Sequence, residues 1–307
     1  MTYRECYDQG VFRLEASFVP EAKLDARLLL EAVCKTDRNA LLVHGDKEVS
    51  QEQRKAYEEA IDKRAQRVPL QHILGHQEFM GLNFQVNANV LIPRQDTEVL
   101  VEKALDVLKW KVKERSTTAE ESAANESMGS SDGTGNKPVR ILDMCTGSGC
   151  ILISLLKMCS GTVGLGVDIS KDALEVARAN GHSVLTSDQS ERVNWICSDM
   201  FDQVEGQFDV ITSNPPYIPT KVIEDLMPEV RDHEPIGALD GMEDGLFFYR
   251  QIALSAPKHL TQQGHLFLEI GHDQGQDVSL LLREQGFAKV EVIKDYAGLD
   301  RVVHAQM

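Results

Sequence analysis

The apolar residues of this chain change period along its length. Between Glu21 and Lys35, Leu24, Leu28, Leu29 and Ala32 recur at helical spacing. Ser50 followed by Gln53 has the form of a capping box and predicts a helix to about Arg67. Val68-Pro69 stops it, because a residue before proline resists the helical region. Residues 1–77 therefore read as a small helical domain suited to docking. Residues 78–92 alternate apolar and polar positions in two short runs, Leu82-Phe84-Val86 and Val90-Ile92, with turn chemistry at Asn87 and Asn89. That pattern predicts a β-hairpin within a connector over 78–96. A helix is expected from about Thr97 to Trp110. Residues 112–137 are rich in Ser, Thr, Glu and Gly and poor in large apolar side chains. Such a stretch buries too little to offset its ordering entropy, so a flexible insertion is expected inside a domain spanning 97–307.

From residue 139 the period alternates between strand and helix. Strands are expected at 139–145, 163–169, 193–199, 208–214, 265–271, 290–295 and 301–306. Helices are expected at 150–158, 170–180, 245–260 and 274–285, with Ser170 as an N-cap and Gly286 as a C-terminal stop. Repeated βα units predict a mostly parallel sheet covered on both faces. The last two strands have no helix between them and should pair antiparallel.

Charge narrows the chemistry. The chain of 307 residues carries 32 basic and 48 acidic side chains, net −16. Residues 1–85 hold 12 basic and 14 acidic residues, net −2, so 86–307 hold the remaining 20 and 34, net −14. A strong non-specific hold on duplex DNA rests on Lys and Arg neutralising phosphates, so direct nucleic-acid binding is not expected. An acidic half suits a small cationic cofactor or a basic protein partner. The six cysteines form no Cys-x-x-Cys pair, so neither a metal site nor a disulfide framework is expected. The N-terminus has no signal-peptide core, and no run approaches the roughly 18 apolar residues of a membrane span. A cytoplasmic protein without membrane contact is the expectation.

Three strand ends carry the candidate chemistry. Asp143-Met144-Cys145-Thr146-Gly147-Ser148-Gly149 follows an apolar strand and opens a helix, where glycine lets backbone approach a ligand. It is neither a dinucleotide fingerprint, since Cys145 stands where the first glycine would be, nor a P-loop. Asp168 ends the next strand, 21 residues after Gly147, where an acid accepts hydrogen bonds from ribose hydroxyls. Asp199, followed by Met200, ends the third strand at the same carboxyl edge. These outline a nucleoside site without a phosphate binder. Asn214-Pro215-Pro216-Tyr217 follows the fourth strand. Its two prolines fix two φ angles and remove two donors, leaving carbonyl acceptors in a rigid corner. Asn214 adds a side-chain acceptor and Tyr217 an aromatic face, a set that can grip a planar NH2 group.

This set resembles the methyltransferases that modify planar nitrogen with S-adenosylmethionine. Further stretches sharpen the resemblance: Pro69-Leu70-Gln71, Ile73-Leu74-Gly75, Glu78-Phe79-Met80-Gly81-Leu82, Leu91-Ile92-Pro93-Arg94, His233-Glu234-Pro235, Asp244-Gly245-Leu246, Tyr249-Arg250, Glu269-Ile270-Gly271 and Gln274-Gly275. Together these resemble the HemK/PrmC family, the N5-glutamine methyltransferases of peptide chain release factors. The resemblance runs from about 20 to 306, outside 112–137. It implies a Rossmann-like class I S-adenosylmethionine-dependent fold with a mostly parallel seven-stranded sheet and a small N-terminal helical domain. It also implies methyl transfer to a glutamine side-chain nitrogen of a release factor. Asn214 and Pro215 would accept the N–H bonds of the amide, with Pro216 and Tyr217 beside it. Cys145, Thr146, Gly147, Ser148, Gly149, Asp168, Asp199 and Met200 would border the cofactor. Arg94 would touch substrate or pair with Glu98, and Glu269 would serve near the catalytic edge or as a structural acceptor.

The chain departs from the family pattern at Gln95 and Asp96, where a proline and a glutamate are usual, at Cys145, usually glycine, and at Met200, in some members aromatic. Three rivals share parts of the signal. A ribosomal-protein glutamine methyltransferase would use the same chemistry. A DNA adenine methyltransferase would share Asn214 to Tyr217 but needs a basic surface. A non-catalytic adaptor need not keep the acceptor corner.

Overall fold

The structure is a computed structural model that describes residues 1–125 and 137–307. The chain divides into two compact units. The first comprises Met1–His76, Val86–Ala88 and Leu226–Glu234; the second comprises Gln77–Gln85, Asn89–Asp225 and Pro235–Met307.

The first unit is helical. Its main helices are Tyr3–Ala16, Ala22–Cys34 and Gln51–Ala65, with short helices at Arg38–Val43, Leu70–Leu74 and Pro228–Arg231. The capping box at Ser50 forms in both directions, Gln53 N–H to Ser50 Oγ and Ser50 N–H to Gln53 Oε1, each at 3.2 Å. Leu14, Leu29, Leu30, Tyr57 and Ile61 meet in its core. A buried ion-pair chain ties three of its segments together. Arg64 reaches Asp25 at 2.6 Å and Glu229 at 2.9 Å, and Arg67 grips Glu229 at 2.6 Å. Burial alone would raise the Glu229 pKa. Hydrogen bonds from Arg67 and Arg64 outweigh it and hold the carboxyl at about 2.

The second unit opens with a hairpin of β1 (His76–Phe79) and β2 (Leu82–Gln85). This corrects the expected pairing of 82–86 with 90–92. Met80 and Gly81 both take positive φ, 53° and 69°, and a two-residue turn of that kind closes a hairpin with the native twist. Residues 90–94 instead run without strand pairing into a 3-10 turn at Gln95–Thr97. The next helix spans Glu98–Asn125, well past Trp110. Its apolar stripe continues to Val112, and Lys111 Nζ bonds to the Gln263 carbonyl at 2.9 Å. Arg115 pairs at 2.6 Å with Asp209, itself nearly buried. The Ser/Thr/Glu composition read as an insertion from 112 hides good helix formers, so residues 112–125 are corrected to helix. The rest of that segment, 126–136, lies outside the described residues.

Seven strands follow: β3 (Val139–Met144), β4 (Thr162–Asp168), β5 (Val193–Cys197), β6 (Phe208–Ser213), β7 (Leu260–Glu269), β8 (Lys289–Lys294) and β9 (Asp300–Gln306). Their order is β5-β4-β3-β6-β7-β9-β8. The first five are parallel, while β9 runs antiparallel to both β7 and β8. The fold expected from the sequence is thus present. Period-2 alternation sends side chains to two cores. Ile141, Val210, Phe267 and Val302 meet helices Glu98–Asn125 and Cys150–Met158 on one face. Leu142, Ile211, Leu266, Leu268 and Val303 meet helices Phe247–His259 and Gly275–Glu284 on the other. The order reverses at β3, where neighbouring crossovers leave in opposite directions. Open sheets of this kind bind ligands at the carboxyl ends beside that point.

Candidate active site

The carboxyl ends of β3, β4, β5 and β6 surround a cavity of about 500 Å³, within the range of small-molecule sites. The loop after β3 forms its floor. Asp143 is fully buried, and its two oxygens accept from Thr146 Oγ1 at 2.5 Å and Thr212 Oγ1 at 2.8 Å. Burial pushes its carboxyl up to about 7 despite those bonds. Asp143 therefore shapes the loop from below. Cys145 holds φ +58°, a left-handed conformation that favours glycine. Gly147, φ +53°, has nothing within 4 Å of where a Cβ would stand, so the backbone itself faces open cavity. Gly149 is different: a Cβ there would meet Ile153, Trp195 and Ala177, so this glycine serves close packing under the helix. Buried Asn180 clamps the loop from outside, donating to the Ser148 carbonyl at 2.9 Å while bracketing the Gln85 backbone at 2.7 and 3.1 Å.

Asp168 joins the loop to the next strand. One oxygen accepts Gly147 N–H and the other Ser170 N–H, each at 2.9 Å. Each oxygen keeps a lone pair for a ligand. Burial raises the Asp168 pKa against those hydrogen bonds. Ser170 caps the following helix through Ala173 N–H, as its position predicts, so that duty does not fall to Asp168. Ile169, 67% exposed, presents an apolar face at the rim, and Asp199 with Met200 lines the far side.

The corner after β6 is braced from behind. Asn214 Nδ2 donates to the buried Thr97 hydroxyl at 3.4 Å. Gln274 donates to the carbonyls of Tyr217 at 3.0 Å and Gly245 at 3.2 Å, and its own oxygen accepts Gly271 N–H at 2.9 Å. Tyr249, fully buried, donates to the Glu269 carbonyl at 2.8 Å. Glu269 is 1% exposed, and burial pushes its carboxyl up to about 7 against Thr97, Arg301 and Asn214. Burial likewise pushes Tyr217 up to about 12.

Comparison with known proteins decides the family. Residues 5–75 match the family described as PrmC N-terminal domain, and residues 134–229 match the methyltransferase small domain. A release factor glutamine methyltransferase of Agrobacterium fabrum is 39% identical, covering 95% of this chain and 92% of that relative. One of Clostridium botulinum is 36% identical, covering 100% and 99%. The chain belongs to the release factor glutamine methyltransferase family. It is a methyltransferase. Among solved structures, the hMettl16 catalytic domain in complex with MAT2A 3'UTR hairpin 6 shares the fold. It is 15% identical, with a TM-score of 0.53 over 80% of this chain and 81% of that one.

As a member of the release factor glutamine methyltransferase family, the chain can be read residue by residue at its cavity. Arg94, Cys145, Thr146, Gly147, Ser148, Asp168, Asp199, Met200, Asn214 and Pro216 all line it. Gly149, Pro215 and Tyr217 do not; Pro215 is buried and Tyr217 flanks the cavity with its carbonyl held by Gln274. The lining also contains groups to which the sequence assigned no role at the site: Val90, Leu91, Ile169, Met242, Phe247 and Phe248. Val90 and Leu91 carry an alternating pattern that mimics a strand. Ile169 and Met242 lie on connections, and Phe247 and Phe248 open the helix Phe247–His259. The residues fit S-adenosylmethionine. The open space over Gly147 admits a ligand against backbone, Asp168 has lone pairs to spare, and Asp168 with Asp199 favours a cationic group over a phosphate. No helix among the described residues is long and apolar enough to cross a membrane.

Proposed function

We propose that this chain methylates the side-chain amide nitrogen of a glutamine in a peptide chain release factor, using S-adenosylmethionine. The observation that carries the reading is the corner Asn214-Pro215-Pro216-Tyr217, whose Asn214 and Pro216 line a cavity with an open glycine backbone, in a chain whose relatives bear that name. An amide nitrogen is a poor nucleophile, because its lone pair is shared with the carbonyl. S-adenosylmethionine, when bound, supplies an electrophilic methyl group on a sulfonium. Asp168 would hold its ribose, the backbone from Thr146 to Ser148 its amino-acid part, and Ile169, Asp199 and Met200 its base.

Asn214 Oδ1 and the Pro215 carbonyl would accept the two N–H bonds of the glutamine amide. Both acceptors favour positive charge developing at nitrogen, and their fixed directions aim its lone pair. Tyr217 would bound the amide plane from the side. No side chain is required as a base, since a methylated, cationic amide loses its proton readily to water. The first unit would recruit the protein substrate.

The test is methyl transfer from labelled S-adenosylmethionine, offered in parallel to purified release factor, ribosomal proteins and duplex DNA. Label on release factor alone is expected. Label on a ribosomal protein or on DNA alone would overturn the substrate assignment. Cofactor binding with no label anywhere would favour an adaptor.

A further inference from the structure

The acceptor role given to Asn214 meets a symmetry problem. A carboxamide has an acceptor end and a donor end of nearly the same shape, and a half-turn about its last torsion exchanges them. With the donor end forward, Asn214 would face the substrate NH2 with N–H against N–H and would repel it. Something behind Asn214 must choose the end.

Thr97 and Glu269 stand in that position. Thr97 is 2% exposed and Glu269 1%. Asn214 Nδ2 donates to Thr97 Oγ1, and the Thr97 and Asn214 side chains both stabilise the ionised form of the Glu269 carboxyl behind them. Glu269 Oε2 is buried with no hydrogen-bond partner among the described residues, an acceptor oriented to take a proton from its neighbours. A carboxylate only accepts, so the Thr97 proton points to Glu269 and the Thr97 lone pairs are left for Asn214 Nδ2. Turning the amide over would set Asn214 Oδ1 against acceptor oxygens at its back, a costly arrangement in a dry site. Tyr249 fixes the Glu269 backbone, and the turn Gln95–Thr97 fixes Thr97 through Thr97 N–H to the Arg94 carbonyl at 3.1 Å.

We propose that Thr97 and Glu269 are positioning residues that lock the polarity of the Asn214 carboxamide, so that its oxygen faces the substrate nitrogen. This rests on the acceptor role assigned to Asn214 above. It also gives the segment from Arg94 to Glu98 a function despite Gln95 and Asp96: the segment delivers Thr97, while Asp96 reaches Arg301 at 3.3 Å and Glu98 accepts Met80 N–H at 2.6 Å.

Thr97→Val removes the hydroxyl at constant shape, and Thr97→Ser keeps it. Misaligning the reacting amide should lower kcat for release factor by about 10- to 100-fold in Thr97→Val. KM for release factor and affinity for S-adenosylmethionine should stay within about threefold, since uniform binding is untouched. Thr97→Ser should restore kcat to within about threefold of wild type. Substrate-free NMR supplies an independent reading: the Asn214 side-chain NH2 pair, assigned by its absence in Asn214→Asp, should exchange slowly in wild type and Thr97→Ser and fast in Thr97→Val. Wild-type kcat in Thr97→Val, or equal losses in Val and Ser, would overturn the lock. If wild type transfers no methyl to release factor, the substrate reading fails. The NH2 exchange then decides the lock alone, and identical exchange in wild type and Thr97→Val overturns it.

Discussion

Glu269→Gln should make the methyltransferase unit more stable as the solution becomes alkaline. The wild-type carboxyl is 1% exposed and burial pushes it from 4.5 to about 7. Between those values the folded chain binds more protons than the unfolded chain. The contribution of this group is therefore fully present below about pH 4.5 and lost as pH rises to about 7. A shift of this size, at about 1.4 kcal/mol per unit, amounts to about 3 kcal/mol. Glutamine has no such titration. Asp143 behaves in the same sense, rising from 3.8 to about 7, but it is common to both proteins and cancels in the difference. Urea unfolding at pH values below and above this window measures the effect. Both tryptophans, Trp110 and Trp195, lie in the second unit, so their fluorescence reports that unit without the helical one. The stability of Glu269→Gln relative to wild type should rise by about 3 kcal/mol from about pH 4.5 to about pH 8. Parallel pH curves for the two proteins would refute the reasoning, because Glu269 would then ionise in the folded state as it does in water.

Other expectations follow from the same geometry. Between about pH 6 and 8 the wild-type kcat should rise as Glu269 ionises among Thr97, Asn214, Tyr217, Tyr249, Asp96 and Arg301, and Glu269→Gln should flatten that limb; an unchanged limb in a pH–rate profile would assign it elsewhere. Gly147→Val places a branched side chain at φ +53° in the open cavity, and calorimetry should find S-adenosylmethionine affinity reduced at least about tenfold. Arg64→Met leaves Asp25 buried without its partner and should cost the first unit about 3–5 kcal/mol in chemical unfolding. Phe12 and Phe18 are 76% and 85% exposed on the first unit; changing both to Ser should raise KM for release factor and leave cofactor affinity unchanged in calorimetry.

What could be read from the sequence followed from local rules. The seven strands, the antiparallel last pair, the Ser50 and Ser170 caps and the stop at Gly286 all rest on periodicity or on a residue's own hydrogen-bonding habits. The glycine loop, Asp168, Asp199 and Asn214 were visible because each ends a strand, and the topology of a parallel sheet gathers such ends at one edge. Alternation alone does not decide the hairpin pairing, because Leu82-Phe84-Val86 and Val90-Ile92 alternate equally well. Only the left-handed backbone at Met80 and Gly81 decides the register. The end of the long helix is not marked in the sequence, because Ala- and Glu-rich low complexity and helix propensity look alike; the ion pair of Arg115 with Asp209 spans 94 residues and leaves no local trace. The bracing roles of Thr97, Gln274 and Asn180 leave no local trace either. Each acts on a partner distant in sequence, and a buried hydroxyl or amide looks in sequence like any surface polar residue.

The acceptor corner is tested most directly by Asn214→Ala. Release factor and S-adenosylmethionine would be incubated with wild type and variant, the mass of the modified glutamine-bearing peptide followed with time, and cofactor affinity measured on the same preparations. Wild type should add one methyl to a single glutamine. Asn214→Ala should lose at least about a hundredfold in rate while binding S-adenosylmethionine within a few-fold of wild type, as expected for an interaction aimed at the reacting nitrogen. A variant that keeps its rate, or that loses affinity and rate by the same factor, would contradict the account.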